Sequence, residues 1–252
     1  MRPLFFFASM LFVFAVSIVP ADAQTVLDRS VARGDAKVLQ IEAGGAAVTF
    51  VPSADASAIR VQVVQDAKMQ LPVVDSAHAG NRLSVTIRPP SGPPLIPFVP
   101  SSSPTYTVTY PANMRLDARI SSGDVALTKS TAAVEIFDQE GNINVDSPRA
   151  SITAESARGE VVVTGALAPV DLAADDGDVT ASLANGWSGN EIRMQSGTGA
   201  VHLSVPAGFR AKFDASSNQG SVHNPFAGSD VRAPFVWLYA IKGDVWVAQN
   251  KA

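Results

Sequence analysis

A nine-residue step runs through the middle of this chain. From Val125 it gives Val134, Ile143, Ile152, Val161, Val170 and Val179; two residues further along it gives Leu127, Ile136, Val145, Ala154, Val163, Leu172 and Ala181. All are apolar. Strand side chains alternate between faces, so two apolar residues spaced by two form the inward side of a short β-strand. Nine residues then make one strand and one turn, and eighteen make a coil of two strands. The turn glycines keep the longer period: Gly123, Gly141, Gly159 and Gly177 are 18 apart, and Gly199, Gly220 and Gly243 follow at 22, 21 and 23. Periods near 20 mark solenoids.

The pattern predicts an all-β fold, a single-stranded β-solenoid of the right-handed β-helix kind, with about 18 residues and two strands per coil. Val125, Ile143, Val161 and Val179 should form one inward ladder, and Val134, Ile152 and Val170 the ladder of the facing sheet. Glycine recurs at one corner because a tight bend there calls for φ > 0. A left-handed hexapeptide helix also has 18 residues per coil, but its apolar residues come every six. A calcium-binding roll needs Gly-Gly-x-Gly-x-Asp in each repeat, whereas this chain has one Gly per eighteen. An antiparallel sandwich needs no constant period.

Residues 119–248 carry the regular repeats, and 24–118 are a less regular half with strand-like alternation in "AAVTFV", "AIRVQVV", "RLSVTI" and "YTVTYP". Between the last two lies "RPPSGPPLIPFVPSSSP", residues 88–104, whose prolines bar it from a central strand and predict an exposed loop. "PANMR" at Pro111 and "PAGFR" at Pro206 each precede a strand that returns to a Gly corner. These features favour one continuous solenoid over residues 24–252.

The first 23 residues fit a signal peptide. Arg2 precedes an apolar run, and Ala21-Asp22-Ala23 places small residues at the −3 and −1 positions of a cleavage site. The apolar run is short for a membrane span, which takes about 20 residues. The expected mature protein starts at Gln24, is exported to the periplasm or cell surface, and does not span the membrane. There are no cysteines, hence no disulfide framework and no lipobox. A net charge of −4 argues against a nucleic-acid partner, which would require a basic face.

The Ser122-Gly123-Asp124-Val125 corner, the later Gly-Asp/Asn/Glu-Val/Ile corners and "LSVPAGFRAKFDASSNQGSV" resemble the bacterial "putative adhesin" family of β-strand-repeat domains. "NRLSVTI" and "YTVTYPANMRLDARISSGDV" fit the order of that family, and the resemblance covers most of the mature chain. It implies an exported cell-envelope β-solenoid of unknown function and supplies no catalytic residues.

The residues themselves offer little chemistry. Asp124, Asn142, Glu160 and Asp178 follow corner glycines and should stack in a file. Calcium takes six to eight oxygens, so one side chain per coil is too sparse, and Ala200 and Ser221 break the file. His78, His202 and His223 are far apart in sequence, and His202 should point outward between Val201 and Leu203. There is no G-x-S-x-G elbow. The outward residues Thr128, Asp146, Thr164 and Ser182 on one face, and Glu135, Thr153 and Asp171 on the other, suit acid–base work poorly. Only Phe137 offers a ring on those faces. Phe226, Phe235, Trp237, Tyr239 and Trp246 collect late and are expected to cap the last coil; a docking surface at that end is the other reading. No catalytic residue, metal or cofactor is therefore expected. The expected function is a non-enzymatic interaction module whose partner is an envelope protein or surface glycan. An accessory sensor in envelope-stress signalling and a carbohydrate-active enzyme on a β-helix stand as alternatives.

Overall fold

Each inward ladder runs through one sheet, and the two sheets face each other across the core. The computed structural model describes residues 24–54, 56–66, 70–89, 103–226 and 233–250, so the segment expected as a signal peptide lies outside the described residues. Among the described residues all regular structure is strand, in one sheet of eleven strands and one of ten. Both sheets are mixed, with parallel pairing through their middles and antiparallel pairing at one end.

The nine-residue step becomes register. In the eleven-stranded sheet Val125 pairs with Ile143, Ile143 with Val161, and Val161 with Val179. In the ten-stranded sheet Val134 pairs with Ile152 and Ile152 with Val170. These residues are all buried, whereas neighbours such as Asp146, Glu135 and Thr153 turn to solvent. The first ladder reaches the whole width of its sheet, as Leu27, Val63, Tyr106, Val48, Val125, Ile143, Val161, Val179, Val201, Val245 and Val222. Aliphatic β-branched residues dominate it because they fit a pleated surface covered on one side.

Strand order follows chain order from Arg115 to Val205 and departs from it at both ends. At one end Val38–Ala43 and Ala47–Ser53 form a coil wedged between the strands of 82–111 and those of 115–128. Gln24–Ala32 and Ala58–Asp66 then close the eleven-stranded sheet antiparallel, and Val73–Ala79 closes the other as a hairpin on Arg82–Arg88. At the other end Phe235–Lys242 and Val245–Gln249 sit between Glu191–Val205 and the strands Lys212–Ser217 and Val222–His223. Strand order is thus sequential in the middle of the stack and interleaved at its ends.

The Pro-rich segment falls where a coil turns from one sheet to the other. Arg88 ends a strand of the ten-stranded sheet and Thr105 begins one of the eleven-stranded sheet, residues 90–102 lying outside the described part. The same corner in the next coil is Gly44-Gly45, and in the one after it Ser122-Gly123. The "PANMR" and "PAGFR" echo is structural: Met114 N donates to Pro111 O at 3.0 Å, and Phe209 N donates to Pro206 O at 3.2 Å.

The candidate functional site, a ridged corner and an outer groove

The corner glycines stack in van der Waals contact. A Cβ on Gly159 would lie 2.0 Å from the carbonyl oxygen of Gly141, and one on Gly177 2.1 Å from that of Gly159. Gly159 and Gly177 have φ of +147° and +155°. At Gly141, Gly199 and Gly220 the reason is the close approach alone, since their φ lies outside the left-handed range while a Cβ would meet a backbone oxygen within 2.5 Å. Close stacking, as much as φ, explains why glycine returns.

After four of the corner glycines the next residue, Asp124, Asn142, Asp178 or Asp244, caps a backbone N–H of the adjoining coil. Asp124 Oδ1 accepts from Asn142 N at 3.0 Å and from Asn142 Nδ2 at 3.1 Å; Asn142 Oδ1 accepts from Glu160 N at 2.9 Å. Asp178 Oδ1 accepts from Ala200 N at 2.7 Å, and Asp244 Oδ1 from Ser221 N at 2.8 Å. In the file expected from the sequence, Asp124, Asn142 and Asp178 turn a side-chain oxygen along the stack to a neighbouring N–H group. Among the described residues no group of three or more His, Asp or Glu is arranged to hold a metal.

A second file was not foreseen. The inward position just before the glycine corner carries Asp138, Ser156, Ala174 and Ser196 in adjacent strands. Ser156 Oγ donates to Gly141 O at 2.9 Å, Ser196 Oγ to Gly177 O at 2.8 Å and Ser217 Oγ to Gly243 O at 2.7 Å. The hydroxyls satisfy carbonyls buried at the corner. Asp138 is the exception, a fully buried carboxyl whose Oδ2 has no hydrogen-bond partner among the described residues. Burial pushes its pKa up to about 6, opposed by the N–H of Glu140 and reinforced by the charge of Asp124. The signal was present as small or polar residues at 138, 156, 174 and 196, hidden because only the first two inward positions of each strand are uniformly apolar.

The outer face of the ten-stranded sheet carries a groove of about 640 Å³. Two rows of outward residues line it. One row is Thr86, Glu42, Arg119, Phe137 and Glu155, and the other includes Asp117, Glu135 and Thr153. Arg88 and Pro89, at the start of the Pro-rich segment, stand at its margin. Phe137 is 41% exposed on the floor. Arginines engage the acids: Arg115 to Glu135 at 2.6 Å, Arg82 to Asp117 at 3.8 Å and Arg119 to Asp117 at 3.9 Å. The sequence had isolated Phe137 and Glu135 without showing that Glu42 and Thr86, distant in the chain, join them.

The same rows continue to the far end. The first runs on through Gln195 to Tyr239 and the second through Asp171 and Arg193 to Trp237. Burial raises the pKa of Asp171, while Arg193 acts to lower it. Trp237 and Tyr239 stack at 5.7 Å on this outer face, so they do not cap the core. Trp246 is also outward, on the opposite sheet, stacked on His223 at 3.7 Å and in register with His202. His202 points outward as expected, and two histidines remote in sequence flank one ring. Of the late aromatics Phe226 packs against the core at this end, together with Trp187, Phe209 and Phe213. His78 lies on the exposed hairpin strand, away from both.

Residues 113–233 match the family model described as Toastrack DUF4097. No curated protein matches the chain. The fold is similar to the crystal structure of a "putative adhesin" from Bacteroides fragilis, at 17% identity over 92% of this chain and 99% of that one, with a TM-score of 0.52. A "putative cell adhesion protein" from Clostridium sporogenes aligns over 90% of this chain and 100% of that one, at 11% identity and a TM-score of 0.43. At such identities the first likeness is one of fold. The matched segment begins at the "PANMR" turn and takes in the sequential stack together with the outermost strands, Lys212–Ser217 and Val222–His223. Over residues 113–233, just under half of its length, the chain is similar to the Toastrack DUF4097 family.

Proposed function

We propose that the chain is an exported, non-enzymatic interaction module of the bacterial cell envelope, an adhesin-like β-solenoid of 18-residue coils that presents the Phe137 groove to an envelope protein or surface glycan. The right-handed sense of the coils is part of this reading, since parallel crossover connections are nearly always right-handed. One observation carries the proposal: an exposed ring stands in a groove where Arg115 pairs with Glu135 on the adjacent strand, Arg82 reaches Asp117 across the strand between them, and Arg119 reaches Asp117 along its own strand. Paired in this way, the side chains offer donors, acceptors and a flat apolar surface, which is the make-up of a recognition surface. The parallel stack behind them supplies a rigid mount. Export rests on the apolar run and the small residues at 21–23. Among the described residues no helix is long and apolar enough to cross a membrane.

The test is cross-linking of the mature chain to envelope fractions, with Phe137→Ala/Arg119→Glu as the groove variant and Asn144→Ala on the opposite face as control. Saturable cross-links that the groove variant loses and the control keeps are expected. Cross-links unaffected by the groove variant would count against the groove. Polysaccharide cleavage lost in Glu135→Gln or Glu155→Gln would instead favour the enzyme reading.

A further inference from the structure

The interleaved order at the end of the stack has a consequence for how copies of the chain meet. Phe235–Lys242 and Val245–Gln249 fill a slot between an inner wall, Glu191–Val205, and an outer wall, Lys212–His223. The outer wall precedes the filler in sequence. Its corner glycine, Gly220, follows Gly199 by 21 residues, close to one coil period, so the outer wall carries the spacing to dock directly on the inner wall. In the native order it does not, because the filler stands between them. The slot must therefore be open at some stage of folding, either before the outer wall docks or after it has been displaced.

The filler is held by contacts that are not peculiar to its own chain. Phe235 N donates to Asn190 O at 3.0 Å, Gly199 N to Lys242 O at 2.9 Å and Val201 N to Asp244 O at 2.9 Å. On the other side Lys212 N donates to Pro234 O at 2.9 Å, Val245 N to Ser221 O at 2.9 Å, and Ser217 Oγ to Gly243 O at 2.7 Å. These are the main-chain and corner bonds of every coil. The inward side chains choose the order. Val236, Leu238, Ala240, Val245 and Val247 are buried in the slot, while the bulkier Phe213 sits at the open end beside Phe209 and Phe226. A slim coil suits the middle of the stack, and a Phe-rich one suits its end. Nothing in this preference distinguishes a filler from the same chain from a filler belonging to a second copy.

We infer that the slot is a strand-exchange site, and that Phe235–Gln249 of a second copy of this chain fills it to give a strand-exchanged dimer. Reciprocal filling is self-complementary, as a two-fold dimer requires. The inference goes beyond the proposed function and does not depend on it.

The chain has no cysteine, which gives a clean test. Arg193 and Trp237 are register partners across the slot, as are Gln195 and Tyr239. One preparation carries Arg193→Cys and another Trp237→Cys. The two are unfolded together, refolded at high protein concentration, oxidised and run on a non-reducing gel beside light-scattering analysis. The expected result is a mixed disulfide dimer of twice the monomer mass, in a yield that rises with refolding concentration. Gln195→Cys with Tyr239→Cys should repeat it, which guards against loss of Trp237 impairing folding. Glu135→Cys with Trp237→Cys, not register partners, sets the background. Mixed dimer no greater than that background in both partner pairs would overturn the inference. So would an equal yield when the two proteins are mixed already folded.

Discussion

The hydroxyl of Ser156 donates to the carbonyl oxygen of Gly141 at 2.9 Å, and one coil earlier the same inward position holds the carboxyl of Asp138. Asp138 Oδ2 and Gly123 O both lie 2.5 Å from where a Cβ of Gly141 would stand, so a buried carboxyl faces the corner that a serine serves elsewhere. Protonated, it can donate as the serine does; ionised, it brings a second negative oxygen to a carbonyl.

Asp138 therefore gives the protein an inverted acid response. Its folded pKa, about 6, lies above its unfolded value near 3.8. Between these values the folded state binds more protons, so stability from this group is full below about pH 4 and is lost as pH rises through about 6. The difference corresponds to about 3 kcal/mol at most. Asp138→Ser should raise stability at pH 7.5 and leave it little changed at pH 4, as measured by urea unfolding at both. A variant less stable than the parent at pH 7.5 would contradict the assignment.

At Gly159 two causes act together, a φ of +147° and a Cβ that would lie 2.0 Å from a backbone oxygen. Gly159→Ala should cost about 3 kcal/mol or more, since backbone must move in two coils. Gly80, at φ +60°, has nothing within 4 Å of the same position. Gly80→Ala should cost only about 1 kcal/mol, the ordinary left-handed penalty. Thermal unfolding of the two variants side by side checks the contrast.

The opposite corner is less well served. Lys129 and Ser147 hold φ of +53° and +52°, and Gly165 stands at the equivalent place with +65°. Lys129→Gly and Ser147→Gly should each stabilise by up to about 1 kcal/mol, the left-handed strain relieved exceeding the entropy lost. Gly165→Ala should destabilise by a similar amount. Denaturant midpoints at constant m decide the sign.

The middle of the fold was legible because one strand and one turn take nine residues, so periodicity in sequence becomes register in space. The ends were not, for a physical reason. A corner glycine accepts any neighbouring glycine carbonyl, and a ladder valine packs on any other, so spacing alone does not say which coil lies next to which. The placement of Phe235–Gln249 inside Lys212–His223 follows no period in the sequence. Antiparallel closure by Gln24–Ala32 and Ala58–Asp66 is a long-range pairing of the same kind. Of the groove, Phe137 and Glu135 were visible as outward residues, whereas Glu42 and Thr86 join them only through the wedged coil at 38–53.

Paired deletions test whether the regular stack is built of 18-residue coils. Removing Gly141 to Arg158 takes out one coil, after which Gly159 takes the place of Gly141 and Val161 pairs with Val125. Removing Gly141 to Arg149 takes out nine residues and sends each following strand to the opposite sheet. In a quasi-one-dimensional stack the first loss is one coil's share of the stability, and cooperative unfolding survives. The eighteen-residue deletion is expected to fold with a β-type circular dichroism spectrum, a single unfolding transition and resistance to protease, and the nine-residue deletion to lose all three. A nine-residue deletion as well folded as the longer one would contradict the 18-residue coil.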